Sequence, residues 1–213
     1  MEKFYAFREK LMAHVRLVAN KSASNYNSTN QNANDTNVAI PVLGVTVLID
    51  TNGYLDRLLR SIDVRIGTVI ITWYGSDPKI KHVLEQAKKK VPCENFVVRQ
   101  YPSNMGCAFG YNAAILEVPE APWWLLTNYD ISFPPGVLAR IGNSTWAAIR
   151  KGHERRRPLA LQTFNYTYGA TNLWSNFAIT AASVHRVGFF DENISQLSVR
   201  MVCLPDIPGR NYR

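Results

Sequence analysis

From residue 42 onward, short β-branched runs alternate with segments whose apolar residues recur every three or four positions, and few architectures accept that alternation. Val42 to Ile49 is apolar enough for a strand buried on both faces. Leu55, Leu58, Leu59 and Ile62 follow at helical spacing, and Thr68 to Thr72 returns to a strand. Asp77-Pro78 marks a helix start, because proline is tolerated at the first helical position. Ile80, Val83, Leu84 and Ala87 give that helix a face to bury. Phe96 to Arg99 predicts a third strand, Gly106 to Leu116 a helix and Pro122 to Thr127 a fourth strand. After Pro134-Pro135 a helix through Ala139 and Trp146 is expected, then strands at Leu159 to Thr163 and Trp174 to Thr180. Strands and helices taking turns, with short links, predict an α/β domain with a mostly parallel sheet covered on both faces.

The flanks read differently. Residues 1–18 form a basic amphipathic segment, with Phe4, Phe7, Leu11, Val15 and Val18 on one helical face and Lys3, Arg8, Lys10 and Arg16 elsewhere. Such a segment can pack on the domain or make peripheral membrane contact. Residues 19–38, rich in Asn, Ser and Thr, have almost nothing to bury and predict a disordered linker. The main domain then spans residues 39–194. Pro205, Pro208 and Gly209 interrupt a final stretch, residues 195–213, that reads as irregular, divergent or truncated.

Composition narrows the function classes. The formal charge is +8, which favours acidic partners such as phosphates. The basic residues fall in separate patches, Lys88-Lys89-Lys90 and Arg155-Arg156-Arg157 among them, so no nucleic-acid stripe is expected. Cys93, Cys107 and Cys203 form no CxxC pair and predict small buried thiols, neither zinc ligands nor a disulfide framework. His14, His82, His153 and His185 are isolated. No apolar run reaches the roughly 20 residues of a membrane span, and no signal-peptide pattern is present. Six Asn-x-Ser/Thr triplets favour a secretory compartment only weakly, leaving cytoplasm and secretory pathway both open.

Two neighbouring stretches carry the chemistry. Asn104-Met105-Gly106-Cys107-Ala108-Phe109-Gly110-Tyr111-Asn112 offers glycines where backbone can approach a ligand. Trp123 to Asp130 is an apolar strand ending in a carboxylate, where open α/β sheets bind ligands. An acid at that point can hold a cation against a phosphate. A turn or helix cap before Pro134 is the plainer task for Asp130, as local loop bonding is for Asn104 and Asn112.

In order and spacing, these elements resemble inverting family-2 glycosyltransferases. The resemblance rests on Asn104, Gly106, Ala108, Gly110 and Asn112, on Asn128-Tyr129-Asp130, on Pro134-Pro135-Gly136 and on Gly188-Phe189-Phe190-Asp191-Glu192. It implies a GT-A fold, a Rossmann-like α/β/α sandwich, and a nucleotide-sugar donor bound with a divalent metal, Mn²⁺ or Mg²⁺. It further implies Asp130 as metal ligand, with Asn128 as a weaker neighbour. Thr51, Asn52, Trp73, Asn104, Gly106, Gly110, Asn112 and Asn128 would line the donor site, with Trp73 and Tyr74 each suited equally to stacking on the base or to filling the core. The resemblance leaves the acceptor open among glycan, protein and lipid.

The chain also departs from that pattern. Asp50 stands where a proline is expected, and Thr72 where the second strand should end in a base-reading acid. Ser195 to Arg200 contains no acid to deprotonate an acceptor hydroxyl, so no catalytic base is assigned. Two functions are therefore expected: sugar transfer, or nucleotide binding by a catalytically silent relative serving as a partner subunit.

Overall fold

The computed structural model describes residues 39–48, 52–154, 161–164 and 176–190. Residues 1–38, Thr51, Asp191-Glu192 and residues 195–213 lie outside them, as do the expectations placed there. The elements run β1 (Ile40–Val47), α1 (Tyr54–Arg60), β2 (Ile66–Tyr74), α2 (Pro78–Lys90), β3 (Cys93–Tyr101) and α3 (Gly106–Glu117). Then follow β4 (Trp123–Asn128), α4 (Val137–Glu154), β5 (Leu161–Thr163), β6 (Asn176–Thr180) and α5 (Ala181–Val187).

One six-stranded sheet has the order β3-β2-β1-β4-β6-β5. Its first four strands are parallel, β6 is antiparallel to β4, and β5 is antiparallel to β6. Because strand side chains alternate, each strand feeds two layers. Leu43, Val45 and Val47 of β1 join Leu125 of β4 in a core shared with Leu58 of α1, Leu84 of α2 and Leu138 of α4. Val42, Trp124 and Leu126 point into the opposite core, with Tyr111 and Ile115 of α3 and Val184 of α5.

The strand order decides where a ligand can sit. From β1 the chain moves outward to β2 and β3, and then crosses to place β4 on the other side of β1. The connections leaving β1 and β4 thus part company above that pair, opening a crevice at the carboxyl ends of the strands. Thr46 of β1 lies level with Asn128 of β4 at its floor.

Helix α3 forms one wall and is unusually enclosed, with no exposed residue along its length. Its sequence is apolar nearly all round, as an enclosed helix requires. Two glycines let it lie close to the sheet: a methyl added at Gly110 would fall 2.2 Å from Thr46 Oγ1, and one at Gly44 2.6 Å from the Ala114 methyl.

Helix starts follow local chemistry. Asp77 accepts from the Lys79 backbone N–H at 2.8 Å and caps α2, with Pro78 opening the helix. Thr180 accepts from the Ser183 N–H at 3.2 Å and caps α5, a short helix that apolar periodicity did not predict. Strands β2 and β3 exceed their predicted cores because their ladder continues through Trp73–Gln100 and Tyr74–Tyr101.

Candidate functional site

Directly after β4 the chain turns at Tyr129 and Asp130. Asp130 is half-buried, and its Oδ1 is buried with no hydrogen-bond partner. Leaving a buried polar atom unpaired costs about 1–3 kcal/mol, and more for a charged group. This carboxylate is therefore poised for a cation or a donor. Its surroundings feel its charge. Burial, then Asp130, pushes the Cys107 thiol upward. Burial first, with Cys107, Asp130 and Tyr74 adding, raises the Tyr111 phenol well above its ordinary value. Tyr111 therefore stays a neutral O–H donor, and it donates to Asn128 Oδ1 at 2.7 Å.

The amino end of α3 closes on the same crevice. Asn104 Oδ1 accepts from the Gly106 N–H at 2.8 Å, and the Tyr74 hydroxyl donates to the Gly106 carbonyl at 2.7 Å. Tyr74 belongs to an aromatic cluster with Tyr101 and Phe109, the latter two meeting edge-on at 4.9 Å. The turn is thus pinned on both sides. Gly106 has φ of 83°, a conformation that glycine adopts without strain. A methyl there would meet nothing within 4 Å, so the turn's geometry, not crowding, calls for glycine.

Several expected donor contacts have other tasks. Gly110 faces Thr46 across the helix–sheet seam. Asn112 is 2% exposed, and its amide closes a two-way bond on one residue. Its Nδ2 donates to the Phe190 carbonyl at 2.9 Å, and its Oδ1 accepts from the Phe190 N–H at 3.0 Å. That tie anchors the Gly188-Phe189-Phe190 turn to α3. Trp73 is 3% exposed and packs in the core beneath α1 and α2, so it offers no face to a base. Tyr74, the other stacking candidate, is equally enclosed. Thr72 does not end its strand: β2 runs on to Tyr74, and Thr72 is buried against the Gly110 carbonyl. Asn52 is exposed and donates to the Tyr54 hydroxyl at 3.4 Å. Cys93 and Cys107 are half-buried free thiols, less enclosed than expected.

Three site-shaping residues were not foreseen. Ser61 Oγ accepts from the Phe133 N–H at 3.0 Å, and Asp63 Oδ2 from the Gly136 N–H at 2.6 Å. Together they hold the loop that leaves Asp130. Their partners lie 72 and 73 positions away, beyond any local signal. Tyr111 is the third. It sat inside the glycine pattern, where an aromatic flanked by Gly110 and Asn112 was the available clue.

A divalent cation suits this donor set to a defined extent. Asp130 offers a hard carboxylate oxygen in need of a partner, as Mn²⁺ and Mg²⁺ require. Among the described residues no three His, Cys, Asp or Glu side chains group into a cage. The fit is for an ion held by one carboxylate and completed by substrate phosphates and water, a mode common for Mg²⁺.

Known structures share this fold. S. aureus TarS, residues 1–349, superposes with a TM-score of 0.51 at 16% identity, over 74% of this chain and 52% of that one. The same TarS fragment in complex with UDP gives 0.51 at 15% identity, over 73% and 51% of the two chains. The mannosyltransferase PcManGT from Pyrobaculum calidifontis, in complex with GDP-Man and Mn²⁺, gives 0.50 at 11% identity, over 92% and 67%. The fold is GT-A-like. This GT-A-like chain spans about half the length of the TarS fragment it matches. No family model matches it, and no curated protein sequence does at a significant level. Among the described residues no helix is long and apolar enough to cross a membrane.

Proposed function

We propose that this chain is the donor-binding domain of a family-2-like glycosyltransferase, which moves a sugar from a nucleotide diphosphate to a glycan, protein or lipid acceptor. The observation that carries the reading is the unpartnered Asp130 oxygen, on a carboxylate set where the strand connections part and near enough to Cys107, in the first turn of α3, to raise its thiol. Two of the superposed structures hold, by their descriptions, UDP in one case and GDP-Man with Mn²⁺ in the other, which supports a nucleotide-sugar donor here.

The chain's own residues then have distinct tasks. Asp130 holds the divalent ion, which when bound neutralises charge on the departing diphosphate. The first turn of α3 turns backbone N–H groups and the positive end of its dipole toward an anion. Asn104 and Tyr74 keep that turn in shape through Gly106. Thr51 and Asn52, on the connection leaving β1, are assigned to the nucleoside side. Asn112 acts at one remove, by fixing the Phe190 turn.

A second reading, a nucleotide-binding partner subunit without turnover, is favoured by the lack of any acid in Ser195 to Arg200. Thermal unfolding with a panel of nucleotide sugars, with and without Mn²⁺, tests donor binding. A ligand at a hundred times its Kd should add roughly 2.7 kcal/mol, a shift of several degrees. Asp130→Ala should abolish the Mn²⁺-dependent part. A chain that no donor stabilises would sink the binding claim, and donor binding with no sugar released to water or acceptors would select the second reading.

A further inference from the structure

The segment between β1 and α1 carries the chain's one Asn-Gly pair, Asn52-Gly53. Both residues are exposed and lie outside any helix or strand. Gly53 sits at φ 66° and ψ 27°, and a methyl built on it would meet nothing within 4 Å. Its backbone nitrogen is therefore uncrowded, and glycine turns freely about the bonds that bring this nitrogen toward the preceding side-chain carbonyl. The Asn52 amide is loosely held: the bond from Nδ2 to the Tyr54 hydroxyl is 3.4 Å, beyond the usual range. The other asparagines among the described residues lack this setting. Asn112 and Asn176 are buried, and Asn95, Asn104 and Asn128 precede the bulky Phe96, Met105 and Tyr129. Asn143 is exposed but precedes Ser144 inside α4, where the helix directs each N–H to the carbonyl four residues back.

We propose that Asn52 is a site of spontaneous deamidation, becoming aspartate or isoaspartate and so placing a negative charge on the segment between β1 and α1. The Gly53 nitrogen gives its proton to water and attacks Asn52 Cγ. The new N–Cγ bond closes a five-membered succinimide, the Cγ–Nδ2 bond breaks, and that nitrogen leaves as ammonia. Water then opens the ring at either carbonyl. One opening returns the original backbone with aspartate, and the other routes the backbone through the side chain as isoaspartate. Nothing is oxidised or reduced, and water is the only co-reactant. Isoaspartate lengthens the main chain by one methylene just before α1. The consequence for ligands rests on the donor-site reading above: a carboxylate on the nucleoside side repels a diphosphate and weakens its binding.

Ageing the full chain in mildly alkaline buffer, followed by peptide mapping with mass spectrometry, tests this. Peptides holding Asn52 should gain the mass of an amide-to-acid exchange and separate into aspartate and isoaspartate forms. Peptides holding Asn143 should stay intact. A free peptide of residues 48–57 gives the rate with no fold around it. The folded chain should match that rate within a few-fold. An Asn52 that stays intact while the peptide converts would show that the fold protects it, and would overturn the proposal. Gly53→Ala should slow conversion in the folded chain, and the peptide comparison decides the matter even if that variant does not fold. Asn52→Asp reproduces the charged product. Its affinity for UDP, by titration calorimetry, should fall several-fold, and an equal affinity would remove the link to the crevice. An unaltered chain that binds no UDP would bring down the donor-site reading, and the mapping alone would then judge deamidation.

Discussion

Asn112 uses one side chain to satisfy both polar groups of one residue, so its replacement strands two buried backbone groups at once. Asn112→Leu should lose about 2–6 kcal/mol by urea unfolding, since each of the two abandoned groups costs about 1–3 kcal/mol. Gly110 is equally constrained, but by volume. Gly110→Ala forces a methyl onto Thr46 and should lose roughly 1–3 kcal/mol, the usual penalty for overfilling a tight contact. Thr46→Ala should restore part of that loss, because the Thr46 hydroxyl and methyl are the nearest obstacles and its Cβ remains. Cys107 reports on Asp130. Burial and the nearby carboxylate raise the thiol, so at pH 8 it carries less thiolate than an ordinary cysteine. Iodoacetamide should label it slowly, faster as pH climbs, and Asp130→Asn should quicken the labelling at a given pH. Peptide mapping separates it from Cys93, whose thiol burial also raises.

Elements were legible in sequence wherever a run was long enough to show its period. The Asp77-Pro78 start of α2 is the clearest instance: a capping carboxylate and a proline at the first turn are local chemistry. Asp77→Ala should cost about 1 kcal/mol, read as a shift in the urea midpoint. Helix α5 escaped notice because its seven residues expose no long apolar stripe, and only the Thr180–Ser183 cap announces it. Trp73 is a residue that sequence left between two places. An aromatic at a strand end has the same letter whether it stacks on a ligand or fills the core, and the core won through the pleat, which turned it toward α1 and α2. Asp130 was singled out because the end of an apolar strand is visible in sequence. Ser61 and Asp63 were not, because their bonds join segments that only folding brings together.

The whole molecule adds a long-range field and a rigid frame. With a formal charge of +8, the proposed diphosphate association should be steered by charge and should slow several-fold between low salt and physiological ionic strength, where charges beyond about 8 Å are screened. Stopped-flow binding of UDP across a sodium chloride series checks this: an on-rate indifferent to salt would assign attraction to the crevice alone. The frame comes from the seam of Gly44 and Gly110 described above. Helix α3 rests so near the sheet that it can neither sink nor slide without collision, and Asn112 fastens it to the Phe190 turn. It works like the fixed jaw of a vice. On the proposed donor reading, differences in substrate girth then fall away from α3, so donor preference should be rewritten by changes in the segment after β1 and hardly at all by changes in α3.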